Sequence, residues 1–245
     1  MKKLVHKILY RLLPLESYLR VVSWLFFLWR RLGIGRNSQE LEYVYYLDKL
    51  VKRGDHCIDI GANLGYYTRS LSEIVGGEGR VYAVEPMAPT RRVLSKNIAS
   101  CSNVELYPYA LGESERSVVM ANDSATKSGY LGTGQNFVKE GDAECDVEFK
   151  AEMRRGSELF AGLQRLEFIK CDIEGYELNV MRDMRPILER FHPLVLIESG
   201  GENRQQIVAL FEKLGYVGYT LLNGREVALS ESSTKDIIFR YQEIK

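Results

Sequence analysis

The chain has 245 residues, 45% of them hydrophobic and 27% charged, a composition that excludes a disordered or fibrous protein and suits one α/β domain with extensions. The formal net charge is zero, but residues 1–36 hold eight Lys/Arg against Glu16 alone, which leaves 25 basic and 32 acidic residues in a body without the basic stripe that nucleic acid requires. Cys57, Cys101, Cys145 and Cys171 form no C-x-x-C pair and the only histidines are His6, His56 and His192, which argues against a disulfide framework, a zinc ribbon or a His-rich metal site and for reduced thiols in a cytoplasmic protein.

In chain order, "MKKLVHKILYRLL" puts Leu4, Val5, Ile8, Leu9, Leu12 and Leu13 on one half of a helical wheel, with Lys2, Lys3, His6, Lys7, Tyr10 and Arg11 on the other. The spacing predicts a basic amphipathic helix that Pro14 ends. An apolar run from Val21 to Trp29 follows, broken by Ser23 and flanked by Arg20 and Arg30-Arg31. A bilayer span needs ~20 apolar residues, so this run is too short, and no small-residue site follows it to mark a secretory signal. Two placements stay open for this extension, residues 1–36: peripheral attachment to an anionic cytoplasmic leaflet, with Trp24 and Trp29 at headgroup level, or a helical pair packed on the body or on another subunit.

Beyond it, Leu41, Val44, Leu47 and Val51 predict a helix over 39–52, stopped by Gly54. Short β-rich runs then alternate with helical ones: strand 56–60, helix 64–75, strand 80–85, helix 89–100, strand 103–110. This alternation predicts a mostly parallel sheet covered by helices on both faces. "SVVMA" and "DVEFKAEM" break the rhythm as an antiparallel β-hairpin insertion over about 112–156, enclosing a Ser/Gly/Thr-rich loop, 122–136, placed near substrate. A short helix (157–163), strand 166–172, helix 175–184, strand 194–199, helix 203–214 and the strands "VGYTLL" and "DIIFRY" complete the domain, 37–245.

"HCIDIGANLGYYT" marks the turn after the first strand, where ligands of such sheets sit. Gly61 and Gly65 allow close backbone approach, and the helix beyond offers unpaired N–H groups. Asn63 stands where the dinucleotide fingerprint has its middle glycine, and Asp59 would repel a pyrophosphate. A ligand with an ammonium and a carboxylate fits better: Asp59 for the first, N–H groups and Asn63 for the second. Glu85, ending the second strand, can accept both hydroxyls of a ribose. S-adenosylmethionine carries all of these groups.

"CIDIGANLGYYT", "VYAVEP" and "IKCDIEGYE" together resemble the FkbM-type S-adenosylmethionine-dependent methyltransferases, from about Gln39 to the C-terminus. The resemblance implies a Rossmann-like, seven-stranded methyltransferase sheet with one antiparallel strand near its end, and O-methylation of a sugar, glycan or natural-product hydroxyl. The expected cofactor set is Asp59, Gly61, Ala62, Asn63, Gly65, Glu85, Pro86 and Ala110.

"IKCDIEGYE" puts Asp172 at the end of the fourth strand with Glu174 and Glu177 beyond it, and Glu198 ends the next strand at a similar height. Carboxylates converging there cannot all ionise freely, so one is expected to work as a general base near neutrality, Asp172 first and Glu174 second. Glu177 also suits a helix N-terminus, and Lys170 reads as a buried amine paired with one of the acids. Mg²⁺ on Asp172, Glu174 and Glu198 is a variant that the resemblance does not require, so no metal is expected. An NAD-dependent oxidoreductase and a catalytically idle, membrane-docked cofactor-binding scaffold are the alternatives. The missing middle glycine weighs against the first.

Overall fold

The computed structural model describes residues 2–36, 38, 41–142, 144–201, 203–230 and 234–242. Three helices, α1 (Lys2–Leu12), α2 (Leu15–Arg31) and α3 (Glu42–Leu50), lead into β1 (His56–Ile60), α4 (Tyr66–Val75), β2 (Arg80–Val84), α5 (Ala88–Asn97) and β3 (Val104–Tyr107). β4 (Tyr109–Leu111), β5 (Arg116–Asn122), α6 (Ser124–Ser128), β6 (Phe137–Val138) and β7 (Val147–Arg154) form the insertion. Then come α7 (Gly156–Leu159), β8 (Phe168–Cys171), α8 (Glu177–Asp183), α9 (Arg185–Phe191), β9 (Leu194–Glu198), α10 (Asn203–Lys213), β10 (Tyr216–Leu222), β11 (Arg225–Ala228) and β12 (Asp236–Tyr241). Of the helix expected over 39–52, Gln39 and Glu40 lie outside the described residues.

The main sheet runs β11-β10-β12-β9-β8-β1-β2-β3. β9, β8, β1, β2 and β3 pair in parallel, and β12 pairs antiparallel with β9 and β10. Strand side chains alternate between two apolar layers because successive residues point to opposite faces. Ile58, Ile60, Ile169, Val195, Ile197, Ile237 and Phe239 pack with α8, α9 and α10, whereas Cys57, Phe168, Leu196 and Ile238 pack with α3 and α4. Asp59 and Lys170 follow the second set by this alternation, which puts two charged side chains under α4.

The sheet has eight strands and is mixed, correcting the seven-stranded expectation. The eighth, β11, is a hairpin return from β10, with Leu222 opposite Arg225 across Asn223-Gly224. Both turn residues have positive φ, 54° and 71°, the conformation that an Asn-Gly pair accepts in a two-residue hairpin. The strand expected over 103–110 breaks at Pro108, which has no N–H for a ladder; β4 leaves the main sheet and pairs in parallel with β7. The expected hairpin is therefore part of a four-stranded sheet, β4-β7-β5-β6. Arg185-Pro186 restarts the chain as α9 directly after α8, an element absent from the expectation, with proline in the first turn where its missing N–H costs nothing.

The basic extension packs on the body through α2. Tyr18 and Leu19 are buried with Leu64, Val93 and Leu131, the Phe26 ring lies 4.1 Å from that of Tyr66, and Arg30 pairs with Glu73 at 3.0 Å. No helix of the described residues is long and apolar enough to cross a membrane.

Candidate active site

β1, β2 and β8 end side by side, and the turns that follow form the floor of a cleft. Gly61 N–H and Ala62 N–H both donate to the Val84 carbonyl, at 3.1 and 3.0 Å, folding the chain back over the end of β2. A Cβ on Gly61, at φ +77°, would lie 2.0 Å from the Asp172 carbonyl oxygen, so only glycine fits between the two crossovers. Asn63 takes the next bend with φ 52°, a left-handed conformation that asparagine tolerates, which is how the turn does without a middle glycine. Its N–H donates to Glu85 Oε2 and that of Met87 to Glu85 Oε1, both at 2.9 Å. The carboxylate of Glu85 is thus fixed across the cleft floor, and burial pushes it up to about 7 despite those two hydrogen bonds.

Beneath the floor, Lys170 Nζ lies 3.6 Å from Asp59 Oδ1 and 3.3 Å from Asp172 Oδ2, donates to the Gly61 carbonyl at 3.1 Å, and sits 4.9 Å from the centre of the Tyr67 ring. Burial opposes its charge, but Asp172 and Asp59 outweigh burial and hold the ammonium on. Asp59 is fully buried: burial raises it, Lys170 lowers it, and the Thr68 hydroxyl donates to its Oδ2 at 2.6 Å. The expected amine therefore pairs with two acids at once and ties β1 to β8 immediately under the turn.

Further acids gather at this end of the sheet. Burial, then Glu198 and Asp172, pushes Glu174 up to about 7, and its φ of 41° is left-handed, as that of Asn63 is. Burial and Asp172 raise Glu198, which pairs with Lys235 at 3.6 Å. Glu177 instead accepts the backbone N–H groups of Ile173 and Gly175, at 3.3 and 3.0 Å, and fastens the turn into α8. Asp236 is the member that sequence reasoning missed. Because β12 runs antiparallel, its first residue stands opposite Glu198, the last of β9, and burial together with Glu198 and Asp172 pushes Asp236 up to about 7. The signal was present: an antiparallel final strand brings its amino end to the carboxyl ends of the others.

Of the expected residues, Gly61, Asn63, Glu85, Pro86, Asp172 and Glu174 line one cleft of about 50 Å³, closed outward by Met120, Thr133, Gly134 and Asn136. Pro86 and Ala110 line a neighbouring one of about 30 Å³ with Tyr109 and Tyr176. Asp59, Ala62 and Gly65 line neither. Ala62 packs with Ala83, Leu94 and Ile98, and Gly65, at φ 92°, opens α4 against Leu94. His192 caps α9 with its ring stacked 3.7 Å from that of Tyr241.

The model of the methyltransferase FkbM domain matches residues 59–217, well over half of the chain. The chain belongs to the FkbM methyltransferase family. Among solved structures, the methyltransferase FkbM of Methylobacillus flagellatus KT superposes with a TM-score of 0.52 at 16% identity, over 78% of this chain and 44% of that one. The chain therefore spans less than half the length of that relative. Aeropyrum pernix fibrillarin with bound S-adenosyl-L-methionine gives 0.48 at 16% identity, covering 81% and 73% of the two chains. A SAM-dependent O-methyltransferase of Thermotoga maritima gives 0.47 at 13%, covering 83% and 66%. A comparison with curated protein sequences finds no match.

S-adenosylmethionine is the cofactor of this family, and the groups present suit it. Each Glu85 oxygen accepts one backbone N–H and keeps lone pairs for a ribose diol, and the buried Oδ1 of Asn63 has no hydrogen-bond partner among the described residues. Ligand pockets of drug-sized molecules run to ~300–1,000 Å³, against about 50 Å³ for this cleft, of which Thr133, Gly134 and Asn136 form one wall. That wall is held by Asn122, whose amide donates to the Gly132 carbonyl and to Asn136 Oδ1, and by Tyr18 of α2, whose hydroxyl donates to the Leu131 carbonyl at 3.0 Å.

Proposed function

We propose that this methyltransferase carries out O-methylation of a sugar, glycan or natural-product hydroxyl, by in-line transfer with a carboxylate taking the hydroxyl proton. The observation that carries the reading is the group of acids raised by burial and by one another, Glu174, Glu198 and Asp236, at the sheet end where Glu85 and the Gly61 turn stand. The bound cofactor supplies an activated methyl group on a sulfonium. Glu85 would hold its ribose hydroxyls and Asn63 a polar group of its methionine end.

Lys170 holds Asp172 in place across 3.3 Å, which suits Asp172 to orient the acceptor hydroxyl. Glu174, pushed up to about 7, has the proton affinity that a general base needs near neutral pH, which reverses the order expected from sequence. Thr133 and Asn136, which line the cleft, offer hydroxyl and amide groups that suit a polyol acceptor. Incubation with methyl-labelled cofactor and fractionated cell glycans, lipids, protein and RNA tests the reading. Label in a glycan or a hydroxylated small molecule supports it; label confined to protein or RNA overturns it.

A further inference from the structure

Folding divides α1 differently from a two-sided wheel. Leu9, Tyr10 and Leu13 pack inward beside Tyr18, and the His6 ring hydrogen-bonds the Tyr18 hydroxyl at 3.0 Å. The outward arc keeps Leu4 at 62% exposed, Val5 at 43%, Ile8 at 50% and Leu12 at 73%. Leu4, Ile8 and Leu12 recur every four residues and form one apolar stripe; exposed Lys3, Lys7 and Arg11 recur at the same interval immediately beside it. Trp24, Leu32 and Ile34 are exposed as well, so residues 4–34 hold seven of the ten large hydrophobic side chains that stand in solvent among the described residues. A water-facing helix gains nothing from such a stripe, because each apolar side chain left in solvent forgoes its burial energy.

We infer that the outward face of α1 docks this protein on an anionic phospholipid surface. An apolar stripe bordered along its whole length by a basic one is what a helix lying at the headgroup boundary needs: the first sinks among acyl chains while the second meets lipid phosphates. Charge sets the orientation. Residues 1–36 carry eight basic side chains against one acid, and the rest carries 25 against 32, so a negative surface attracts the extension and repels the body. The same asymmetry disfavours a second copy bound helix to helix, since two α1 stripes would bring like charges together.

Flotation of the full chain with phosphatidylcholine vesicles, with and without phosphatidylglycerol, tests the inference. The protein floats with the phosphatidylglycerol vesicles alone, and added salt releases it. Replacing Leu4, Ile8 and Leu12 together by Gln lowers the bound fraction at least about tenfold. The shift in thermal midpoint given by S-adenosylhomocysteine stays as in the parent chain, which shows that the variant folds. Lys3→Gln with Arg11→Gln lowers partitioning about fivefold for each charge removed and decides the matter alone if the apolar variant does not fold. No flotation with anionic vesicles, equal flotation with both kinds, or binding indifferent to both variants overturns the inference. So does a dimer in sedimentation equilibrium that the triple variant dissolves, which would give the stripe to a second copy.

Discussion

Replacing Gly61 by alanine strikes the close approach between the turn after β1 and the end of β8. The added Cβ would sit 2.0 Å from the Asp172 carbonyl oxygen and 2.9 Å from Ile173 Cγ2. The oxygen is backbone, so no rotamer change relieves the clash. β1 and β8 must part where Asp172 N–H donates to the Ile60 carbonyl at 3.1 Å. An L-residue at φ +77° adds ~1–2 kcal/mol, overpacking ~1–3 and the weakened hydrogen bond ~1, for a total of about 3–6 kcal/mol. Urea unfolding of the unliganded protein reads this as a fall in the midpoint at unchanged slope. Gly162→Ala is the control: no atom lies within 4 Å of its Cβ position, and it changes stability by less than ~0.5 kcal/mol. A Gly61→Ala protein within about 1 kcal/mol of the parent would refute the tight crossing.

Glu174 protonates as pH falls through about 7, so turnover rises from acid into neutral pH; Glu174→Gln removes that limb and lowers kcat by ~10²–10⁴, and an unaltered profile would withdraw its role as base. Burial raises Glu85 from 4.5 to about 7 on folding, so its contribution to stability is complete below pH 4.5 and is lost as pH climbs through 7, ~3 kcal/mol in all. Glu85→Gln removes that part of the slope in unfolding free energy between pH 5 and 8, and parallel curves for the two proteins would contradict it. Lys170→Met strands Asp59 without its buried cation and costs ~3–5 kcal/mol. Adding Asp59→Asn restores most of the loss, and additive losses would show that the pair is uncoupled.

The frame of the sheet was legible because its signals are local. Alternating apolar strands and helical periodicity between His56 and Ile98 place β1, α4, β2 and α5 within two or three residues of where they fold. The Asn223-Gly224 pair is a turn signal that the sequence reading passed over, and the short, half-polar "REVA" behind it carries no strand pattern of its own and becomes a strand only by pairing with β10. Pro108 likewise states that a ladder must stop, without saying that the chain continues in a second sheet.

For the site, strand ends were enough to bring Gly61, Asn63, Glu85, Asp172 and Glu174 onto one cleft. Sequence order could not say which acids face it. Asp59 sits at a strand end as Glu85 does, but its place on the alternating face turns it under α4 toward Thr68 and Lys170. Nor could it show how the two apolar halves of α1 divide, since a wheel ranks side chains by polarity, and only the packing of α2 decides that Leu9 and Leu13 go inward while Leu4 and Leu12 stay out.

The proposed seat of the cofactor is the Gly61 turn with Glu85. Isothermal titration of the full chain with S-adenosylhomocysteine, beside the Glu85→Ala variant, tests this most directly. One site per chain in the parent and at least about a tenfold loss in the variant, the scale of one charged hydrogen bond, is the predicted result. No heat of binding in the parent, or equal affinity in both proteins, would contradict it.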